Sequence, residues 1–282
     1  MAFYFTNTSI KEVDTIILGI PYDRSSSFMP GTRFGPSYIR IGADNIETYS
    51  PYFNQDIINL KVHDAGDIIL TFPTIKQTFN QIQNEISKWL HNKKRPVILG
   101  GEHTITVPVI KEFTKFYPNL RLIQLDAHTD TRDEYLGEKF CHATVIKRIS
   151  EFVPEKNIFQ LGLRSLTAPP KKNQFTLEVK KYIDTIIKQI GKNPCYLTLD
   201  IDVIDGGLMP AVQTPVPGGI SYQELFASIV ELSDLNFVGC DIVEYNPLAS
   251  PSLSYASIVA EIVRELILMI NKNNFTKYSR IS

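Results

Sequence analysis

Short apolar runs alternate along the chain with longer segments in which apolar residues recur every three or four positions. The longer spacing predicts helices over residues 74–93, 174–192 and 254–272. Ser221, followed three residues later by Glu224, has the form of a capping box and predicts the start of another helix. The short runs predict buried strands, and they occupy residues 15–20, 96–99, 121–125, 157–163, 195–199 and 237–243.

Several of the short runs are apolar at every position, which is typical of strands buried on both faces of a parallel sheet. Strands that alternate with helices along a whole chain predict an α/β fold with a mostly parallel central sheet. The sequence contains no internal repeat and no linker rich in glycine or serine. The exposed turn predicted at residues 169–172 is too short to separate two domains. We therefore expect residues 1–282 to form a single domain.

Charge and composition narrow the class of protein. The 29 basic and 30 acidic residues nearly cancel, which argues against a nucleic-acid binder that works through bulk electrostatics. The longest apolar helical run, residues 262–270, contains Arg264 and Glu265, so the sequence predicts no membrane span of about 20 apolar residues. Three widely spaced cysteines and the lack of a recognisable secretory signal predict a cytoplasmic protein with unpaired thiols.

Acidic residues and histidines concentrate where the predicted strands end. An open α/β sheet places its site beyond the carboxyl ends of its strands, so these positions are the first to consider. The residues there are His103 after one strand, Asp126, His128 and Asp130 after the next, Asp200 and Asp202 after a third, and Glu244 after a fourth.

The spacing of these residues predicts a site for two metal ions. Alternate residues of an extended segment point the same way, so each group with that spacing can converge on one point. Together with His103, the two spaced groups offer two imidazoles and four carboxylates. Carboxylates packed so closely would repel one another, and two divalent ions about 3.5–4 Å apart resolve that conflict. Oxygen and imidazole ligands suit Mn²⁺, with Zn, Fe, Co and Ni as alternatives.

Taken in order, these segments resemble the ureohydrolase family, which includes arginase, agmatinase and formiminoglutamase. The segments that carry the resemblance are PGTRFGPSYIR at 30–40, GGEHTIT at 100–106, DAHTDTRDEY at 126–135, CHAT at 141–144, LDIDVIDGGLMPAVQTPVPGG at 199–219 and DIVEYNP at 241–247. The likeness extends over nearly the whole chain, and it looks closest to the bacterial agmatinases.

The resemblance implies an arginase-like, three-layer α/β/α fold and a site for two Mn²⁺ ions. It also implies a small cationic guanidino substrate and a homo-oligomer, either a trimer or a hexamer. The metal ligands that it implies are His103, Asp126, Asp130 and Asp200 for one ion, and Asp126, His128, Asp200 and Asp202 for the other.

The same resemblance implies the roles of the other site residues. A hydroxide that bridges the two ions would attack the guanidinium carbon, and Asp130 would pass a proton to the leaving amine. His142 is expected to act as a proton shuttle beside the substrate, because the ordinary pKa of histidine lies near neutral pH. Glu244 is expected to hold the guanidinium through charge-assisted hydrogen bonds. Thr214 is expected to contribute to the same substrate site.

The segment after Asp130 favours one substrate over others. Arg132 stands where arginases have an asparagine that helps to hold the carboxylate of arginine, and Asp133 and Glu134 follow it. Acidic residues near the mouth of the site suit a substrate with a free amine. The resemblance therefore favours agmatine, cleaved to putrescine and urea in polyamine biosynthesis. Guanidinobutyrate and similar guanidino compounds are alternatives.

Residues 205–215 depart from the family's pattern. Asp205 and Thr214 are retained, but the proline after Asp205 and the Gly-Thr-Gly before Thr214 are missing. Residues 212–213 are expected to alter the wall of the pocket. A family member that binds metal without turnover is therefore an alternative. Another is a metal-dependent deacetylase, a class that resembles arginase in fold but typically uses one Zn²⁺ and fewer ligands.

Overall fold

A parallel sheet of eight strands runs through the centre of the computed structural model, which describes residues 2–3, 5–6, 10, 12–71 and 74–275. The order across the sheet is β4-β1-β5-β10-β9-β6-β7-β8. The strands are β1 (Thr15–Ile20), β2 (Tyr49–Ser50), β3 (Gln55–Asp56), β4 (Val62–Asp67), β5 (Arg95–Gly100), β6 (Arg121–Leu125), β7 (Ile158–Leu163), β8 (Gln174–Thr176), β9 (Pro194–Asp200) and β10 (Asn236–Val243). Strands β2 and β3 form a separate antiparallel ribbon.

Helices cover both faces of the sheet. They are α1 (Gly35–Ala43), α2 (Ile75–His91), α3 (Thr106–Phe116), α4 (Val145–Ile149), α5 (Lys180–Ile190), α6 (Tyr222–Leu232) and α7 (Leu253–Asn271). One apolar core holds side chains of α1, α5, α6 and α7, and a second core on the opposite face holds those of α2, α3 and α4. The predicted three-layer α/β/α fold with a mostly parallel sheet is confirmed.

Alternation along each strand explains why the predicted strands are apolar throughout. Ile17 of β1 belongs to the first core, whereas Ile16 and Leu18 belong to the second. Because successive side chains point to opposite faces and both faces are covered, neither set can be polar. The six predicted strands are confirmed, each within one residue of its expected ends.

The prediction of a helix over residues 174–192 is wrong in its first part. Residues 174–176 form β8, which pairs in parallel with β7, and the helix begins only at Lys180. Phe175 and Thr176 favour a strand, and the side chain of Gln174 makes a hydrogen bond across to Gln160 of β7. Pairing at the edge of the sheet therefore overrides the apolar spacing that indicated a helix.

The other helix predictions are confirmed. Helix α2 occupies most of residues 74–93 and helix α7 most of residues 254–272. The capping box at the start of α6 is complete, since the backbone N–H of Glu224 donates to Ser221 and the backbone N–H of Ser221 donates to Glu224.

Helices α1 and α7 approach each other closely at Gly42. A Cβ atom at Gly42 would lie 2.2 Å from the carbonyl carbon of Ala256. No other residue fits there without moving one of the two helices, so this glycine sets the distance between them.

None of the helices in the described part of the chain is both long enough and apolar enough to cross a lipid bilayer.

Candidate metal centre

Four neighbouring central strands, β5, β10, β9 and β6, bring the polar residues at their carboxyl ends to one place. The turn after β5 supplies His103, and the residue after β10 is Glu244. The segment after β6 supplies Asp126, His128 and Asp130, and the end of β9 with its following turn supplies Asp200 and Asp202. The sequence prediction that these strand ends form one site agrees with this placement.

Three carboxylates surround one ring nitrogen of His103. Its Nδ1 atom lies 3.2 Å from Asp126 Oδ2, 3.1 Å from Asp130 Oδ2 and 3.3 Å from Asp200 Oδ2. This nitrogen is fully buried and makes no hydrogen bond. A buried polar atom without a partner is costly, and a cation held between the imidazole and the carboxylates would satisfy all of them.

A second cluster shares Asp126 with the first. His128 Nδ1 lies 2.8 Å from Asp202 Oδ2 and 3.6 Å from Asp126 Oδ1. The two oxygens of Asp126 thus face different histidines, with Oδ2 towards His103 and Oδ1 towards His128. Two candidate metal groups therefore meet at one carboxylate, which is the arrangement that a bridging ligand requires.

The electrostatics of the site call for positive charge. Burial raises the pKa of Asp130 to about 6, and it also raises the pKa of Asp200 well above its usual range. Burial alone would raise the pKa of Asp126 as well, but His103 and His128 hold it below its usual value. The donor set of imidazole nitrogens and carboxylate oxygens fits two divalent ions, and it does not select one metal.

A buried network holds His103 from the side opposite the carboxylates. Its Nε2 lies 2.9 Å from Thr198 Oγ1, and that hydroxyl donates to Asp241 at 2.6 Å. Thr106 and Tyr196 also donate to Asp241, each at 3.0 Å. Because the single hydroxyl proton of Thr198 goes to Asp241, Thr198 Oγ1 must accept from Nε2, so Nε2 carries a proton and the network fixes the orientation of the ring. Sequence analysis missed this network, although a charged residue within the apolar run of β10 could have indicated it.

Glu244 lies beside the metal ligands in a backbone conformation that is unusual for its type. Its φ angle is 65°, in the left-handed region. Its Oε1 accepts the backbone N–H of His103 at 2.7 Å, and its Oε2 lies 3.3 Å from Gln213 Nε2. Asp130 also has a positive φ, of 50°. Strained backbone of this kind concentrates at functional sites.

Gln213 is a candidate site residue whose role the sequence analysis did not assign. It is 1% exposed, and its Oε1 atom makes no hydrogen bond. Both Gln213 and Glu244 line the cavity that contains the metal ligands. The signal in the sequence was the departure of residues 205–215 from the family's pattern.

His142 lines the same cavity as Glu244 and lies between two serines. Its Nδ1 is 3.4 Å from Ser25 Oγ, and its Nε2 is 3.2 Å from Ser27 Oγ. Burial lowers the pKa of His142 to about 4. This pKa lies below the ordinary value near neutrality, because the partly buried ring loses the hydration that stabilises its charged form.

Glu102 holds the loop that presents those serines. The backbone N–H and the hydroxyl of Ser25 both donate to its carboxylate at 2.7 Å, and the backbone N–H of His142 donates to Ser25 Oγ at 3.1 Å. Burial raises the pKa of Glu102 to about 7. This residue of the GGEH motif thus links the loop to His142.

The cavity above the metal ligands has a volume of about 230 Å³. Thr214, Arg132 and Tyr135 lie in its wall, with the Arg132 guanidinium 5.2 Å from the centre of the Tyr135 ring. Asp133 and Glu134, the acidic residues expected near the mouth of the site, do not line the cavity itself, and Asp133 pairs with Arg148.

Comparisons of sequence and of structure with known proteins agree on one family. Residues 13–269 match the sequence profile of the Arginase family. The agmatinase of Bacillus subtilis (strain 168) is 37% identical over 267 residues, which cover 92% of each chain. The solved agmatine ureohydrolase of Thermoplasma volcanium is 28% identical, has a TM-score of 0.86 and covers 97% of this chain and 95% of its own. The proclavaminate amidino hydrolase of Streptomyces clavuligerus is 27% identical, also with a TM-score of 0.86, and covers 96% of this chain and 97% of its own.

Proposed function

The chain belongs to the arginase family, and on that premise we propose that it hydrolyses agmatine to putrescine and urea with two Mn²⁺ ions. The observation that carries the proposal is the pair of His/Asp clusters that share Asp126 at the bottom of a cavity. Agmatinases that are 35–37% identical over more than nine-tenths of the chain support a hydrolase acting on a guanidino group.

The two clusters divide into two ligand sets. We assign His103, Asp126, Asp130 and Asp200 to one ion, and Asp126, His128, Asp200 and Asp202 to the other. Their support is the convergence of three carboxylates on His103 and the contact of His128 with Asp202. Two ions bound there would lower the pKa of a shared water towards neutrality and so supply a hydroxide nucleophile.

Glu244 and Gln213 are placed to bind the guanidinium. The carboxylate of Glu244 lines the cavity and can accept two of its N–H groups in a charge-assisted contact. The unpartnered Oε1 of Gln213 offers one more acceptor beside it. A planar guanidinium that meets both acceptors presents its carbon to the metal centre. Thr214 would contact the substrate further along the cavity wall.

Asp130 and His142 are placed to move protons. Asp130 belongs to the cluster around His103 and also lines the cavity, so it can pass a proton to the leaving amine. His142 is neutral near pH 7, since its pKa is about 4. A neutral imidazole can accept a proton at one nitrogen while it donates from the other, and Ser27 at its Nε2 leads towards the exposed surface.

A second candidate substrate is a guanidino acid such as guanidinobutyrate. The observation that favours it is Arg132 in the wall of the cavity, because a cation there suits a carboxylate better than an amine. In the agmatine proposal, the Tyr135 ring and the hydroxyls of Ser27 and Thr214 must accommodate the free amine instead.

Urea release after loading with Mn²⁺ tests both candidates. Agmatine, arginine, guanidinobutyrate and guanidinopropionate would be compared with the wild-type protein and with Arg132→Gln. Preference for agmatine, retained or increased in Arg132→Gln, supports the proposal. Preference for guanidinobutyrate that Arg132→Gln abolishes supports the second candidate. Two bound metal ions without urea from any of the four would contradict both and favour a member without turnover.

A further inference from the structure

Three glutamines on neighbouring strands form one continuous chain of hydrogen bonds. Gln174 of β8, Gln160 of β7 and Gln124 of β6 stand at matching positions of the sheet. Gln174 Nε2 donates to Gln160 Oε1 at 2.7 Å, and Gln160 Nε2 donates to Gln124 Oε1 at 2.6 Å. Gln124 Nε2 in turn donates to Asp126 Oδ2. The chain therefore leads from the edge of the sheet to the carboxylate that both metal clusters share.

Groups that can only donate or only accept fix the direction of this chain. The Asp126 carboxylate only accepts, so Gln124 must turn its NH₂ group towards it. Gln160 Nε2 also donates to the carbonyl oxygen of Thr129 at 2.8 Å, which again only accepts. At the outer end, the backbone N–H of Lys171 donates to Gln174 Oε1 at 2.7 Å. No inner amide can flip without leaving a buried group unpaired, which is costly.

The inner end of the chain controls how Asp126 is turned. Oδ2 must face His103 while Oδ1 faces His128, and only one rotation of the carboxylate satisfies both. The side chain of Gln124 donates to Oδ2 and the backbone N–H of His128 donates to Oδ1, and these two hydrogen bonds together hold that rotation. A free glutamine side chain samples many rotamers. Gln160 removes that freedom from Gln124, since Gln160 is 2% exposed and anchored on Thr129.

We propose that Gln124, Gln160 and Gln174 are positioning residues that orient Asp126 for binding two ions, and that Gln160 acts through Gln124. The inference rests on the proposed function, because it requires metal ions at Asp126. The effect of each glutamine on Asp126 is expected to decrease with its distance along the series of hydrogen bonds. Gln124 touches the ligand, Gln160 lies one step away, and the half-buried Gln174 lines an open cavity of about 780 Å³ at the far end.

Calorimetric titration of the metal-free protein with Mn²⁺ tests the inference. Loss of an outer contact to a metal ligand typically costs 10–100-fold in metal affinity, so Gln124→Met is expected to bind at least about tenfold more weakly. Gln160→Met is expected to bind about threefold to tenfold more weakly. If Gln160 acts through Gln124, the double variant binds no more weakly than Gln124→Met alone, since the two effects are not additive. Gln189→Met is the matched control, because Gln189 lines the same cavity as Gln174 but takes no part in the hydrogen bonds among the three glutamines.

Two results would overturn the inference: wild-type affinity in Gln160→Met, or losses that simply add in the double variant. A purely structural role would lower the free energy of unfolding of the metal-free protein and leave the affinity of the folded fraction unchanged. If Gln160→Met does not fold, Gln160→Asn is used in its place. Asparagine keeps the amide group but is too short to reach Gln124. Wild-type Mn²⁺ affinity in Gln160→Asn also overturns the inference. Asp126→Asn separates this failure from failure of the proposed function. If Asp126→Asn binds Mn²⁺ normally, the metal centre itself is wrong.

Discussion

Gln213 places a carbonyl group without a partner in the wall of the cavity. The residue is buried, its amide faces Glu244, and its Oε1 makes no hydrogen bond. A buried acceptor without a hydrogen bond lowers the stability of the fold unless a ligand donates to it. We therefore interpret the departure of residues 205–215 from the family's pattern as functional, with the side chain of Gln213 contributing to substrate recognition.

Replacement of Gln213 tests that interpretation. A hydrogen bond to a charged group is worth about 1.5–3 kcal/mol, so Gln213→Gly is expected to raise KM for agmatine about tenfold or more. The expected kcat and Mn²⁺ affinity are close to those of the wild type. Gln213→Met is the control that keeps the volume and removes the acceptor, and it should raise KM as well. A fall in KM in the glycine variant would show that the side chain obstructs the site instead.

His142 has a predictable effect on acid stability. Its folded pKa is about 4 and its unfolded pKa about 6.5, so between these values the unfolded chain binds more protons. The free energy of unfolding therefore falls as the pH falls from about 6.5 to about 4, by at most about 3.4 kcal/mol. Asn in place of His142 should lack this contribution.

Urea denaturation of the metal-free wild type and His142→Asn at several pH values between 7 and 4 measures the difference. The wild type is expected to lose stability relative to the variant as the pH falls, and to stop losing it near pH 4. A constant difference across that range would show that the ring is not buried in its neutral form.

At the scale of elements, regular apolar patterns in the sequence predicted the buried strands, whereas an element that forms only by pairing with a neighbouring strand could not be predicted. The strands of 15–20 and 121–125 could be predicted because burial on both faces makes every position apolar. The edge strand β8 could not, because only its partner β7 holds residues 174–176 extended. Likewise the candidate metal ligands could be predicted from the strand ends, whereas Gln124 and Gln160 carry no signal until the register of the sheet places them side by side.

The close contact between α1 and α7 predicts whether Gly42→Ala raises or lowers the free energy of unfolding. Alanine normally stabilises an exposed helix by about 0.5–1 kcal/mol relative to glycine. A Cβ atom at Gly42, however, would lie 2.2 Å from the Ala256 backbone. Gly42→Ala should therefore destabilise the protein by about 1–3 kcal/mol, the usual cost of overpacking.

Thermal or urea unfolding measures this effect. Gly66→Ala is a useful comparison, because a Cβ atom there meets nothing within 4 Å and only the positive φ of 75° opposes it. A stabilised Gly42→Ala variant would mean that the two helices can separate freely.

At the scale of the whole molecule, metal binding and folding stability are linked. The folded chain gathers four carboxylates around two histidines, whereas the unfolded chain disperses them. Mn²⁺ at about 100 times its Kd should therefore stabilise the fold by roughly 2.7 kcal/mol for each independent site. The measurement is the melting temperature with and without Mn²⁺, and Asp126→Asn should lose most of the increase. An equal increase in that variant would show that the ion binds elsewhere.

The position of β10 also has a consequence for the order of events during synthesis. This strand, the last that the structure describes, lies between β5 and β9. Without it the sheet consists of two pieces, and His103 follows β5 in one piece while Asp126 and Asp200 belong to the other. Because a ribosome delivers the amino-terminal part first, a nascent chain that ends before about residue 243 can bring together Asp126, His128 and Asp202 at the ends of β6 and β9 but cannot add His103 to them. Both candidate clusters are therefore expected to be present together only after β10 has joined the sheet, and a product truncated before β10 is expected to lack the cluster around His103.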